Sequence, residues 1–88
     1  FMVRHKGVLE PLSRDRLFLS VYESCKHRNS ALADAAGVTK IILSEVVPKA
    51  SNGIVVRDNI VRTAHKVLQR LDSTAATFYA AYHKLPTV

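Results

Sequence analysis

Turn and cap residues cut this chain into short pieces. Gly7, the Pro11 and Ser13 pair, Ser30, Pro48, Gly53 and Asp72 recur along its 88 residues, so no element can run far before the backbone must turn. No apolar run approaches the ~20 residues a membrane helix needs. A chain of this length builds one core and buries about 60–65% of the surface its unfolded form exposes. With no internal repeat, low-complexity stretch or linker, residues 1–88 are expected to form a single domain.

The first piece reads strand, turn, strand. Phe1, Met2 and Val3 suit a strand, Arg4-His5-Lys6-Gly7 is a polar turn ending in a glycine able to take positive φ, and Val8 to Leu12 resumes an apolar pattern interrupted by Glu10. Pro11 limits the second strand, because proline cannot donate to a ladder. Ser13 is an N-cap for a helix running to about His27 or Arg28, with Leu17, Phe18, Val21, Tyr22 and Cys25 on one stripe. Ser30 caps a second helix, carrying Leu32, Ala35, Ala36, Thr39, Leu43 and Val46 and ending before Pro48. Gly37 weakens its middle by roughly 1 kcal/mol relative to alanine.

Lys49 to Gly53 is turn chemistry, and Ile54-Val55-Val56 reads as a third strand joining the hairpin. Arg57 or Asp58 opens a third helix, with Ile60, Ala64, Val67, Leu68 and Leu71 inward. Asp72 caps a fourth, whose stripe is Ala75, Tyr79 and Tyr82, and Pro86 closes the chain. The expected fold is therefore α+β: a small three-stranded sheet packed with four helices in the order β-β-α-α-β-α-α.

Charge narrows the class of partner. Thirteen Lys and Arg stand against seven Asp and Glu, a formal net charge of +6, so anions are preferred: nucleotides, nucleic acid or an acidic surface. The single cysteine, Cys25, excludes an intrachain disulfide and a zinc ribbon or finger within this chain, and fits a reducing, cytoplasmic setting. The N-terminus lacks a signal-peptide pattern. A chain that opens on Phe1 is expected to be a domain excised from a longer protein.

The cations concentrate where an anion could use them. Arg4, His5 and Lys6 form a basic hairpin tip, and Arg14 and Arg16 flank Asp15 in the first turn of a helix whose dipole disfavours cations by a few tenths of a kcal/mol each. A phosphate at that helix start would account for the placement, as would a solvated basic face. Glu10 could accept hydrogen bonds from an adenine amino group or a ribose hydroxyl, or form a cross-strand ion pair. Cys25 has basic neighbours that lower a thiol pKa, but its place on the apolar stripe suits a core thiol. The four histidines lack metal-ligand spacing. Tyr79 and Tyr82 suit the core or, alternatively, base stacking with single-stranded nucleic acid. With no glycine-rich phosphate loop, nucleophile elbow or carboxylate pair, the chain is expected not to be an enzyme.

Val3-Arg4-His5-Lys6-Gly7, followed by Glu10-Pro11-Leu12-Ser13-Arg14-Asp15-Arg16-Leu17, resembles the opening of the ATP-cone, a regulatory nucleotide-binding domain. Ile54 to Ile60 is similar to its second-half strand and helix start, and Leu71-Asp72 with Ala75 and Tyr79-Ala80-Ala81-Tyr82 to its closing helix. The resemblance covers nearly the whole chain and is nearest to the version in the NrdR-type repressor of ribonucleotide reductase genes. It implies that Val3 packs near adenine, that Arg4 and His5 face phosphates, and that Glu10 and Ser13 lie near base or ribose. Arg16 would hold phosphate and Leu17 would wall the base.

Four positions depart from the family pattern. Lys6 replaces an acidic or amide residue and adds charge, Arg57 stands where a small hydroxyl residue is frequent and offers a phosphate ligand instead, and Leu12 replaces an aromatic. His5 replaces arginine, so phosphate binding is expected to tighten as the solution is acidified. The implied function is a non-catalytic ATP or dATP sensor, with Mg2+ able to accompany the phosphates. Its expected partners are adenine nucleotides and further copies of itself, with DNA reached only through an attached domain. The alternatives are the activity-regulating domain of a ribonucleotide reductase large subunit and a basic nucleic-acid-binding module.

Overall fold

The computed structural model describes residues 1–83; Pro86, expected to close the chain, lies outside them. Two strands, β1 (Met2–His5) and β2 (Val8–Pro11), pair antiparallel, with Val3 opposite Glu10 and His5 opposite Val8. The two-residue turn between them places Lys6 at φ 51° and Gly7 at φ 77°. This primed geometry follows the twist of the strands. Glycine adopts it freely, whereas lysine does so at a steric cost that asparagine or aspartate would lessen.

Helices α1 (Arg14–Cys25) and α2 (Ala31–Val46) follow, then a 3-10 turn at Val47–Lys49, strand β3 (Ile54–Val56), and helices α3 (Arg57–Leu71) and α4 (Ser73–Tyr82). The architecture is α+β, in the element order expected. Strand β3 lies parallel to β1, Val55 beside Val3, in a sheet ordered β2-β1-β3. Parallel neighbours need a crossover, and α1 with α2 supply it. A second tight turn, Asn52 at φ 53° and Gly53 at φ 75°, launches β3, and the Gly53 carbonyl accepts from the Met2 amide at 2.8 Å.

Capping sets where the helices start. The Ser13 hydroxyl accepts from the Arg16 amide at 3.2 Å, and Asp72 Oδ1 accepts from the Thr74 and Ala75 amides at 2.8 and 3.3 Å. Ser30 occupies the cap position of α2 without capping an amide; its hydroxyl donates instead to the Asp34 carboxylate at 2.7 Å. Helix α1 stops at Cys25, short of His27 or Arg28, because the chain tightens there and the Arg28 amide donates to the Cys25 carbonyl at 2.9 Å.

The buried side chains form one cluster joining α1 (Leu17, Val21, Cys25), α3 (Ile60, Ala64, Val67, Leu68), α4 (Ala75, Tyr79) and Val55 of the sheet. Helix α2 presents a face rotated from the expected one. Ala31, Ala35, Val38, Thr39, Ile42 and Val46 are inside, whereas Leu32 and Ala36 are exposed and Leu43 is half-buried. This helix is apolar on several sides, so its packing against α1 and α3 selects the face. Leu71 and Tyr82, both expected inside, are exposed near the ends of their helices. Among the described residues no helix is long and apolar enough to cross a membrane.

Candidate functional site

A cleft of about 290 Å³ opens where the hairpin meets the N-terminal ends of α1 and α3. Side chains alternate along a strand, and the β1–β2 register sets Glu10 opposite Val3, so both turn towards the helices and line it. Ser13, Arg16, Leu17 and Ser20 enter from α1, and Arg57, Ile60 and Val61 from α3. Tyr79 and His83 close the far side, from α4 and the residue after it.

Of the residues singled out from the sequence, Val3, Glu10, Ser13, Arg16, Leu17 and Arg57 come together here. Arg4, His5 and Lys6 do not line the cleft. Alternation sends Arg4 to the opposite face of the sheet, while His5 and Lys6 sit exposed at the hairpin end. Tyr79, expected in the core or as a base-stacking ring, is buried and lines the cleft, whereas His83 carried no site expectation. The signal available was their spacing of four, one turn apart on a single helix face.

The electrostatics of the cleft are lopsided. Arg16 Nη1 lies 3.6 Å from Glu10 Oε2, but the two side chains are 76% and 60% exposed, and a pair so open to water is worth little. Half-buried Arg57 makes no ion pair among the described residues. Both helices present their positive ends. At α1 the Ser13 cap satisfies Arg16, leaving the earlier first-turn amides as donors, and α3 starts after Val56, which offers no capping oxygen. Asp15 and Asp58 temper this charge from the first turns.

Below the cationic rim the walls are apolar: Val3, Leu17, Ile60 and Val61. Tyr79 is 2% exposed, and burial pushes its phenol up to about 12, so it stays neutral. The His83 ring stacks on it at 4.3 Å between centroids and 30° between planes. Burial, then the Arg57 charge, push the His83 imidazole below its ordinary value. A planar apolar group with an anionic tail matches this combination of walls and rim. Cys25 lies wholly buried elsewhere in the core, where desolvation, with Asp34 adding, raises its thiol pKa. Among the described residues no group of three or more His, Cys, Asp or Glu side chains is placed to hold a metal ion.

A second charged cluster lies at the other end of α4. Arg28, in the turn between α1 and α2, donates through Nε to Asp34 Oδ2 at 2.7 Å and through Nη1 to Asp72 Oδ2 at 2.8 Å. His27 Nε2 is 2.9 Å from the same Asp72 oxygen. Arg28, then His27, hold the Asp72 carboxyl well below the usual carboxylate range, while Arg28, then Ser30, depress Asp34. One guanidinium thus fastens α2 and the start of α4 to the end of α1. Comparison of the chain with protein-family models, with curated proteins and with solved structures returned no match.

Proposed function

We propose that the cleft binds an adenine nucleotide, ATP or dATP, and that the domain is a non-catalytic sensor. The observation that carries this reading is the convergence of Arg16, Arg57 and two helix N-termini on a hollow with apolar walls. Phosphates would displace Glu10 from Arg16 and lie over the helix ends, and the base would enter between Leu17 and the Val3 strand. Glu10, released, would be able to accept from a ribose hydroxyl or an exocyclic amine.

Because β1, α1, α3 and α4 all line the cleft, occupancy alters how they sit together, and ligands that hold them differently shift the population of self-associated forms. The proposed setting is cytoplasmic, as the regulatory part of a larger protein; the resemblance favours a repressor of ribonucleotide reductase genes over the reductase itself. Calorimetry with ATP and dATP tests the site. Saturable binding is expected, weakened about 10- to 100-fold by Arg16→Ala, the scale of a lost charge-assisted hydrogen bond. Unchanged affinity in that variant would refute the site assignment.

The placement of Arg4, His5 and Lys6 outside the cleft favours a second reading, in which the exposed tip meets nucleic acid. Affinity for DNA that falls steeply with salt, without a saturable ATP site, would select it.

A further inference from the structure

His83 occupies an unusual position for an exposed-type residue at a helix end. Its amide donates to the Tyr79 carbonyl at 2.8 Å and its ring stacks on the buried Tyr79 ring at 30° between planes, so the imidazole is held as part of the cleft wall. Arg57 and Arg16 share that cleft, with Glu10 at its mouth. On its other side, Glu23 and Tyr82 line an adjoining hollow, where Glu23 is engaged by Lys26 at 2.9 Å. Tyr79 stays neutral, so among the described residues His83 shares the cleft with Arg16 and Arg57 and has two peripheral carboxylates, Glu10 loosely paired with Arg16 and Glu23 paired with Lys26.

We propose that His83 is an additional ligand-contacting residue of this cleft, and that a polyphosphate drawn between Arg16 and Arg57 places a solvent proton on its imidazole. This rests on the nucleotide reading. Before binding, partial burial and then the Arg57 charge disfavour the imidazolium. An anion of several charges beside the ring outweighs both the burial and the Arg57 charge and reverses that preference. The complex therefore holds more protons than the free protein between the free and bound titration points of His83. Affinity is highest below the free value and declines as pH rises through the bound one.

The test is ATP calorimetry at pH 7 in buffers of different ionisation enthalpy, which reads the protons taken up per nucleotide. Comparing His83→Phe with the wild-type chain cancels the titration of ATP itself and keeps a ring on Tyr79. The wild-type chain should take up about 0.3–0.8 proton more than His83→Phe, and His5→Gln should behave as wild type. Equal proton counts with ATP still bound would overturn the inference while leaving the nucleotide reading intact, whereas absence of saturable binding would overturn that reading and the inference with it. An NMR titration of the His83 ring in the wild-type chain, free and ATP-saturated, reads the same step without a variant. An upward move supports it, and no move or a downward one overturns it.

Discussion

Two clusters of charge flank α4, and they are built on opposite plans. At its start, Arg28, Asp34, Asp72, His27 and Ser30 satisfy one another at 2.7–2.9 Å, with carboxylates 17–19% exposed. At its end, Arg16 has only a loose, exposed contact, Arg57 has no carboxylate among the described residues, and α3 begins without a side-chain cap. Charges that complete one another hold helices together. Charges left without partners beside an apolar hollow are available to a ligand. The difference predicts that damage to the first cluster will appear in stability and damage to the second in binding.

The largest effect should come from Asp72, which both caps α4 and receives Arg28 and His27. Asp72→Ala is expected to lower Tm by roughly 10 °C, and Asp72→Asn, which can still cap, by about half as much. At a temperature where either variant is folded, ATP affinity should stay within about threefold of wild type, since the cleft lies at the far end of the helix. A thermal melt paired with calorimetry checks both halves. A stability change confined to the cleft variants would break the comparison.

Acid should act on the same cluster. Asp34 and Asp72 titrate lower in the folded chain than their ordinary value of 3.8, so between those points the unfolded chain binds more protons than the folded one. Their contribution to stability is complete above about pH 4 and is lost as pH falls towards the folded values. Denaturant titrations from pH 6 to pH 2.5 should show that decline, and Asp72→Asn should flatten it.

The smallest effect separates the hairpin tip from the cleft. Lys6 sits in left-handed backbone outside the cleft, so Lys6→Asn should raise stability by about 0.5–1 kcal/mol while changing ATP affinity less than about threefold. A large loss of affinity would bring the tip into the site and sharpen the boundary drawn here.

What the sequence disclosed follows the range of the interactions involved. Ser13 and Asp72 announce helix starts because a cap acts over two or three residues, and Gly7 announces a turn because positive φ is a local demand, but pairing with β2 draws Arg4 and His5 out of the expected four-residue turn into β1. The face of α2 was not legible: Leu32, Val38, Ile42 and Leu43 give a helix apolar on several sides, and only its neighbours decide which side turns inward. The Arg28–Asp72 bond joins residues 44 apart, with no spacing rule to reveal it. In the cleft, the grouping of Glu10, Ser13, Arg16 and Leu17 follows from a strand running directly into a capped helix. Arg4, expected in the turn, belongs to β1, whose two-residue period sets it outside the cleft. Arg57 came into view through the resemblance to the ATP-cone, and His83 only once the fold had set the end of α4 on the cleft.

The central claim, that the weakly engaged Arg16 and its neighbour Arg57 serve a nucleotide, is tested most directly by ATP calorimetry on the wild-type chain and Arg16→Ala, each with a thermal melt. Saturable binding to the wild-type chain is expected, with a 10- to 100-fold loss of affinity in Arg16→Ala and a Tm in that variant within about 2 °C of wild type. Equal ATP affinity in the two chains, or no saturable heat in either, would contradict it.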